Sequence, residues 1–286
     1  MNVLILGGTG LIGRHAAVAM RALGADVSIL CRSAAGSQCA EALNCTPLDG
    51  DIAVADGGRW LQKLGLFDAV VHAAATFDED MPDIDTRLLV RLESAMQRRH
   101  ARRVLLYTGG VWLFGDTHGP ADETAPHAPP PEWAWLSRNA RRVMASQVFD
   151  GRVVHPANVV DGPPGAPSIL IREAEETSEI RLPQALAATW PLVDARDIGA
   201  LYALVLDAGR RGEDYIGAAV PAEPLAVIAS RLATHLGLAD ASVPLPIGHW
   251  TSKYGAWASG YGLDQNLSAA KARQLLGWTP AFAAWE

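Results

Sequence analysis

The sequence is poor in cysteine, in lysine and in long apolar runs, and each scarcity narrows what the chain can be. Cys31, Cys39 and Cys45 are the three cysteines in 286 residues, an odd number with no metal-ligand spacing. They read as free thiols of a reducing compartment and not as a disulfide framework, so no metal is expected. Lysine also occurs three times, at Lys63, Lys253 and Lys271, and the 24 Lys and Arg residues fall short of 31 Asp and Glu, a formal charge of −7. A nucleic-acid partner is disfavoured, because phosphate binding needs clustered cations. No apolar stretch reaches the ~20 residues of a membrane-spanning helix, and the N-terminal apolar run is too short for a signal peptide. The expectation is a cytoplasmic protein with no membrane partner. Internal repeats and low-complexity linkers are missing as well. What remains, 49% hydrophobic and 19% charged residues, is ordinary globular composition at a length that permits one or two domains.

The most informative stretch is the first. Val3 to Leu6 is a continuous apolar run, as expected of a parallel strand covered on both faces. Gly7-Gly8-Thr9-Gly10-Leu11-Ile12-Gly13 follows at once and satisfies both G-x-G-x-x-G and G-x-x-G-x-x-G. An amphipathic stretch then runs to Leu23 and stops at Gly24. Strand, glycine turn and helix in that order form a dinucleotide cradle: glycines let the backbone approach a pyrophosphate, and the helix start offers free N–H groups to it. Gly7, Thr9, Gly10, Leu11, Ile12 and Gly13 are the candidate cofactor contacts there.

The end of the second strand, Val27 to Leu30, is the next diagnostic place. An NAD enzyme usually carries Asp or Glu there for the ribose hydroxyls; this chain has Cys31-Arg32-Ser33. A guanidinium beside a hydroxyl suits a 2′-phosphate. NADP(H) is therefore the preferred cofactor, with NAD(H) and a merely solvated Arg32 left open. Asp51, with Ile52, follows a short third strand. Its carboxylate can accept from an adenine amino group or cap a helix beginning near Ala53. A fourth strand from Ala69 runs into Ala73-Ala74-Ala75, small residues that let a ligand lie against the backbone. A helix is expected over Asp83 to His100, with Leu88, Leu89, Leu92 and Met96 on one side, and a fifth strand over Arg103 to Thr108. Strands alternating with helices predict an α/β fold, a Rossmann-type doubly wound parallel sheet with right-handed crossovers.

With these pieces, Gly50-Asp51-Ile52, His72-Ala73-Ala74-Ala75, Leu105-Leu106-Tyr107-Thr108 leading to Phe114-Gly115, His155 to Pro163, Pro191 to Ile198 and Leu267 to Pro280, the chain resembles an extended short-chain dehydrogenase/reductase of the NAD-dependent epimerase/dehydratase kind. The resemblance covers nearly the whole chain. It implies a dinucleotide-binding domain over residues 1–160 and a smaller substrate-binding lobe over 161–286 that exchanges segments with it. It also implies cofactor contacts at Pro156 and Asn158, and a possible homodimer through the helices Asp83 to His100 and Trp135 to Asp150.

The same resemblance exposes a gap. The family's chemistry uses a Tyr-x-x-x-Lys pair and a Ser or Thr at the end of the fifth strand. None of Tyr107, Tyr202, Tyr215, Tyr254 and Tyr261 is followed four residues later by lysine. Aligning the helix Trp133 to Phe149 puts Trp135 at the Tyr position, Asn139 at the Lys position and Gly110 at the usual Ser/Thr position. An indole N–H does not exchange its proton near neutral pH. Asn139 could hold a nicotinamide ribose hydroxyl but carries no charge to shift a neighbour's pKa. Thr108, at a strand end, and His155, able to donate near neutral pH, are the candidate catalytic groups, each with a plain structural alternative. Tyr107 alternates to the other face and reads as core. Trp112 and Trp135, with Trp133, suggest an aromatic wall for a substrate. Local acidity around Arg172 and Arg181 disfavours a nucleotide-diphosphate substrate. The expected function is NADP(H)-dependent reduction of a small uncharged, apolar or aromatic molecule by a non-standard proton route. The alternatives are a non-catalytic NADP(H)-binding sensor or a non-redox lyase or isomerase on the same cleft.

Overall fold

A computed structural model describes residues 1–54, 58–97, 102–239 and 241–282. In chain order the first elements are β1 (Asn2–Leu6), α1 (Leu11–Ala22), β2 (Asp26–Cys31), α2 (Ala34–Ala42), β3 (Thr46–Asp49), β4 (Ala69–His72), α3 (Met81–Gln97) and β5 (Val104–Thr108). Then come α4 (Ala134–Ala145), β6 (Asp150–Pro156), β7 (Asn158–Val160), α5 (Ser168–Thr177), β8 (Ile180–Leu182), β9 (Thr189–Asp194), α6 (Ala195–Ala208) and β10 (Asp214–Gly217). The last are β11 (Val220–Pro224), α7 (Leu225–Leu236), β12 (Ser242–Pro244), α8 (Ile247–Tyr254) and α9 (Ala270–Leu276).

The main sheet has seven strands in the order β10-β6-β5-β4-β1-β2-β3. Its pairs from β3 to β6 are parallel, and Val153 N–H donating to the Glu213 carbonyl carries the same direction on to β10. The chain builds outward from β1 to β3, then crosses to β4 on the other side of β1. The order therefore reverses between β1 and β4, the point where doubly wound sheets bind ligands beyond their carboxyl ends. The apolar runs read from sequence are the buried centre of this sheet: Val3 to Leu6, Val70, Val71, Leu105 and Leu106 are inaccessible. A three-stranded sheet β11-β9-β7 and a pair β12-β8 complete the strands.

Two compact units emerge, neither of them a continuous stretch of chain. One comprises residues 1–109, 138–154 and 198–215; the other comprises 110–137, 155–197 and 216–286.

Several boundaries differ from expectation. α3 begins two residues earlier, at Met81; its expected end at His100 lies outside the described residues. No helix begins at Ala53. The Asp51 carboxylate instead accepts the Ala53 N–H at 2.9 Å in a local turn, and among the described residues the next helical element is a 3-10 helix, Arg59–Leu66. The helix expected over Trp133 to Phe149 is shorter, Ala134–Ala145. Asp197 lies inside the first turn of α6, where its carboxylate accepts the N–H groups of Ala281 and Phe282 in a structural role.

Candidate functional site

The glycine turn is built to bring backbone against backbone. Gly7 has φ +81°, a conformation that L side chains rarely adopt, and a Cβ there would lie 2.5 Å from Ala74 Cα. A Cβ on Gly13 would lie 2.2 Å from the Gly7 carbonyl oxygen. The turn closes with Gly10 N–H donating to Gly7 O at 3.0 Å. Gly10 is also the N-cap of α1 and offers no capping side chain, so no cap side chain occupies the first amides of the helix; Thr9 beside it is exposed. Leu11 and Ile12 are half-buried on that first turn. Neither glycine can carry a side chain, because a Cβ would strike the backbone of Ala74 or of Gly7, and the uncapped start of α1 offers free N–H groups of the kind that suit a pyrophosphate.

The structure gives the other predicted cofactor residues of this unit definite places. Arg32 stands exposed at the carboxyl end of β2, with no hydrogen bond or ion pair to another described residue. Ser33 is the N-cap of α2, its Oγ accepting from Gly36 N–H at 3.2 Å, which leaves the hydroxyl proton available to a ligand. Ile52 is half-buried beside Asp51. Ala73, Ala74 and Ala75 leave β4 with Ala73 N–H bonded to Leu6 O and Ala74 against Gly7.

Beyond the ends of β4 and β5 lies a buried polar network that the sequence reading did not contain. Its centre is Asp85 on α3, 1% exposed. Asp85 Oδ1 accepts from His72 Nε2 at 2.6 Å, and Oδ2 accepts from Tyr107 Oη and from Asn139 Nδ2, both at 2.6 Å. Ala74 N–H donates to His72 Nδ1 at 3.4 Å, which fixes Nε2 as the protonated nitrogen and agrees with its donation to Asp85. Burial, then the Asp85 charge and hydrogen bond, push the Tyr107 phenol well above its ordinary pKa; it is a structural donor here. One signal in the sequence pointed to Asp85. It stands four residues after Met81 and three before Leu88, on the buried stripe of α3, where a carboxylate must be paired.

Thr108 is half-buried and already engaged. Its Oγ1 donates to the His72 carbonyl at 2.7 Å and sits 2.6 Å from Tyr202 Oη. With its own proton on the carbonyl, Thr108 is the acceptor of the Tyr202 hydroxyl. Burial raises Tyr202 above its ordinary pKa despite that bond, so Tyr202 is no base.

The second unit holds the remaining candidates. His155 is fully buried, its Nδ1 accepts Gly110 N–H at 3.2 Å, and its ring meets the edges of Phe114 and His127. Asn158 is buried and spends its amide on the Pro191 carbonyl at 3.3 Å, beside buried Pro156. Trp112 lies edge-on to Trp133 at 5.1 Å and to Tyr261 at 4.8 Å, and Trp133 stacks on Trp135 at 6.1 Å. Trp190 and Trp257 also meet Tyr261. The aromatic residues foreseen as a wall are thus one cluster, in which Trp133 and Trp135 are mostly buried and Trp112 half-buried. Elsewhere in this unit Glu173, inaccessible on α5, receives Lys253 Nζ at 2.6 Å, the Tyr254 hydroxyl and Arg181. Burial alone would raise its pKa; the hydrogen bonds from Lys253 and Tyr254, with the Lys253 charge, outweigh that and hold it below the ordinary carboxyl value.

Comparison with known proteins agrees with this fold. The sequence matches the model of the NAD dependent epimerase/dehydratase family over residues 3–217. It is 29% identical to a dTDP-6-deoxy-L-talose 4-dehydrogenase (NAD(P)(+)) of Kitasatospora kifunensis, covering 98% of this chain and 91% of that protein. Among solved structures, a dTDP-glucose 4,6-dehydratase of Streptomyces venezuelae with NAD bound superposes with a TM-score of 0.78 at 20% identity, covering 99% and 93% of the two chains. A nucleoside-diphosphate-sugar epimerase of Pseudomonas aeruginosa gives 0.77 at 23% identity, covering 99% and 93%. Among the described residues no helix is long and apolar enough to cross a membrane.

Proposed function

The chain belongs to the NAD-dependent epimerase/dehydratase family, and from that premise we propose that it is an NADP(H)-dependent oxidoreductase acting on a small uncharged molecule with an apolar or aromatic body. The observation that carries the reading is the turn between β1 and α1, where Gly7 and Gly13 let the turn pack against Ala74 and against itself and the N-terminus of α1 carries no capping side chain, leaving its amides for an anion. A nicotinamide dinucleotide, when bound, supplies or accepts the hydride. The chain's own residues bind and orient. The α1 amides face the pyrophosphate, and Ala73 to Ala75 give a flat path across β4. Arg32 with the Ser33 hydroxyl receives a 2′-phosphate by a charge-assisted contact. Thr108, at the carboxyl end of β5, is the hydroxyl that meets a substrate oxygen; it can give up its proton when it releases the His72 carbonyl. The aromatic cluster around Trp112 favours a substrate with a flat or apolar face.

A second reading, a deoxysugar carried on a nucleotide, is favoured by the similarity to the Kitasatospora dehydrogenase. The two separate by assay. Fluorescence titration should give NADPH at least tenfold tighter than NADH, about 1.4 kcal/mol; equal affinities defeat the Arg32 assignment. NADPH consumption with an aromatic ketone or enone, and no NADP⁺ reduction with dTDP-6-deoxy-L-talose, supports the first reading; the reverse result selects the second. Tight NADPH binding with no turnover on either panel would mark a sensor.

A further inference from the structure

We propose that Asp85 is a positioning residue for the dinucleotide site, locking the Asn139 carboxamide so that its oxygen alone is offered to the cofactor's second ribose. The inference rests on the dinucleotide reading above. It starts from hydrogen-bond bookkeeping. The Asp85 carboxylate accepts three bonds at 2.6 Å, from His72, Tyr107 and Asn139, and an acceptor-only group must be met by the nitrogen of an amide. The second Nδ2 proton of Asn139 goes to Thr86 Oγ1 at 3.2 Å, and Thr86 is itself an acceptor there, because its own proton is on Pro82 O at 2.8 Å. Both amide hydrogens of Asn139 are thereby spent, and no described group donates to Oδ1. The amide cannot turn over without placing an oxygen against a buried carboxylate.

The position of this amide follows from a continuous line of contacts within one unit. Gly7 abuts Ala74, Ala74 N–H is bonded to His72, His72 to Asp85, and Asp85 to Asn139. In the sheet β1 lies between β2 and β4, with β5 beyond β4. A dinucleotide whose pyrophosphate sits at the end of β1 and whose adenylate half lies toward Arg32 on β2 extends its other half over β4 and β5. That half carries two ribose hydroxyls, both donors, and Asn139 Oδ1 is the neutral acceptor on that side.

The test compares whole and half cofactors on Asp85→Asn, Asn139→Ala and the double variant. NADPH and adenosine 2′,5′-bisphosphate serve as probes, or NADH and AMP if the wild-type protein binds NADH more tightly. Asp85→Asn should weaken the dinucleotide about tenfold and leave the half cofactor unchanged, and the effect should vanish on the Asn139→Ala background, since one residue acts through the other. Equal weakening of both probes, or full additivity in the double variant, overturns the proposal. If Asp85→Asn does not fold, Thr86→Val decides: about threefold weaker dinucleotide with an unchanged half cofactor is expected, and no difference overturns it. A wild-type protein that binds the half cofactor but gains nothing from the nicotinamide half overturns this inference alone. One that binds neither overturns the function from which it starts.

Discussion

Two ends of neighbouring strands are built on opposite plans. At the end of β1 the chain is glycine-rich backbone with few side chains, supplied by seven consecutive residues, Gly7 to Gly13. At the ends of β4 and β5 it is made of side chains, His72, Asp85, Tyr107, Thr108, Asn139 and Tyr202, from five separate elements. The first plan depends on backbone conformation with almost no side chains, so it is written in one short stretch. The second depends on a carboxylate meeting three donors from distant segments. It has no contiguous signature.

The largest effect should come from breaking the second plan at its centre. Asp85→Leu leaves three buried donors without an acceptor, and urea unfolding should show a loss of about 3–5 kcal/mol. Gly7→Ala strikes the first plan. A Cβ at φ +81° and 2.5 Å from Ala74 Cα should cost roughly 2–3 kcal/mol in the same assay and abolish tight dinucleotide binding. Arg32→Ala removes an exposed side chain from the same edge. It should leave unfolding unchanged while weakening NADPH about tenfold and NADH hardly at all, a difference of about 1.4 kcal/mol in titration. Ser33→Ala loses the cap of α2 and should lower stability by about 1 kcal/mol.

The smallest effect concerns pH. Glu173 is held below its ordinary pKa in the folded chain. Its contribution is therefore fully present above the unfolded carboxyl value and is lost as pH falls through the lower folded value. Melting temperature should decline on acidification below about pH 4.5, and less steeply in Glu173→Gln. An unchanged acid slope in that variant would assign the decline to other carboxylates, such as Asp194. Burial alone would raise Asp194, and its bonds with Arg196 outweigh that and hold it low.

The sheet was legible because each of its buried strands is a short apolar run punctuated by glycine or small residues, and because strands and helices alternate. The glycine turn was legible because it follows β1 at once and its positive φ at Gly7 suits only glycine, although the approach to Ala74 that also demands glycine there is not local. Element ends were less so. Asp51 could accept from an adenine amino group or cap a helix; its carboxylate accepts the Ala53 N–H in a local turn, and these uses look identical in sequence. The Asp197 carboxylate meets Ala281 and Phe282, more than eighty residues away, and no local pattern announces partners at that distance. Asn139 was noticed for the lysine it replaces and not for the carboxylate it meets.

What the sequence determined alone is what a few neighbouring residues can fix by themselves: an apolar period, a backbone that must turn at Gly7, and a net negative charge. These depend on local sterics and on net electrostatics, which do not need the fold. What only the tertiary structure decided is the fate of each polar group: that Thr108 is tied to His72 and Tyr202, that His155 is sealed against Gly110, and that Asp85 is the hub at the ends of β4 and β5. Burial turns an ordinary hydroxyl or carboxylate into a fixed partner, and burial exists only once distant segments have come together.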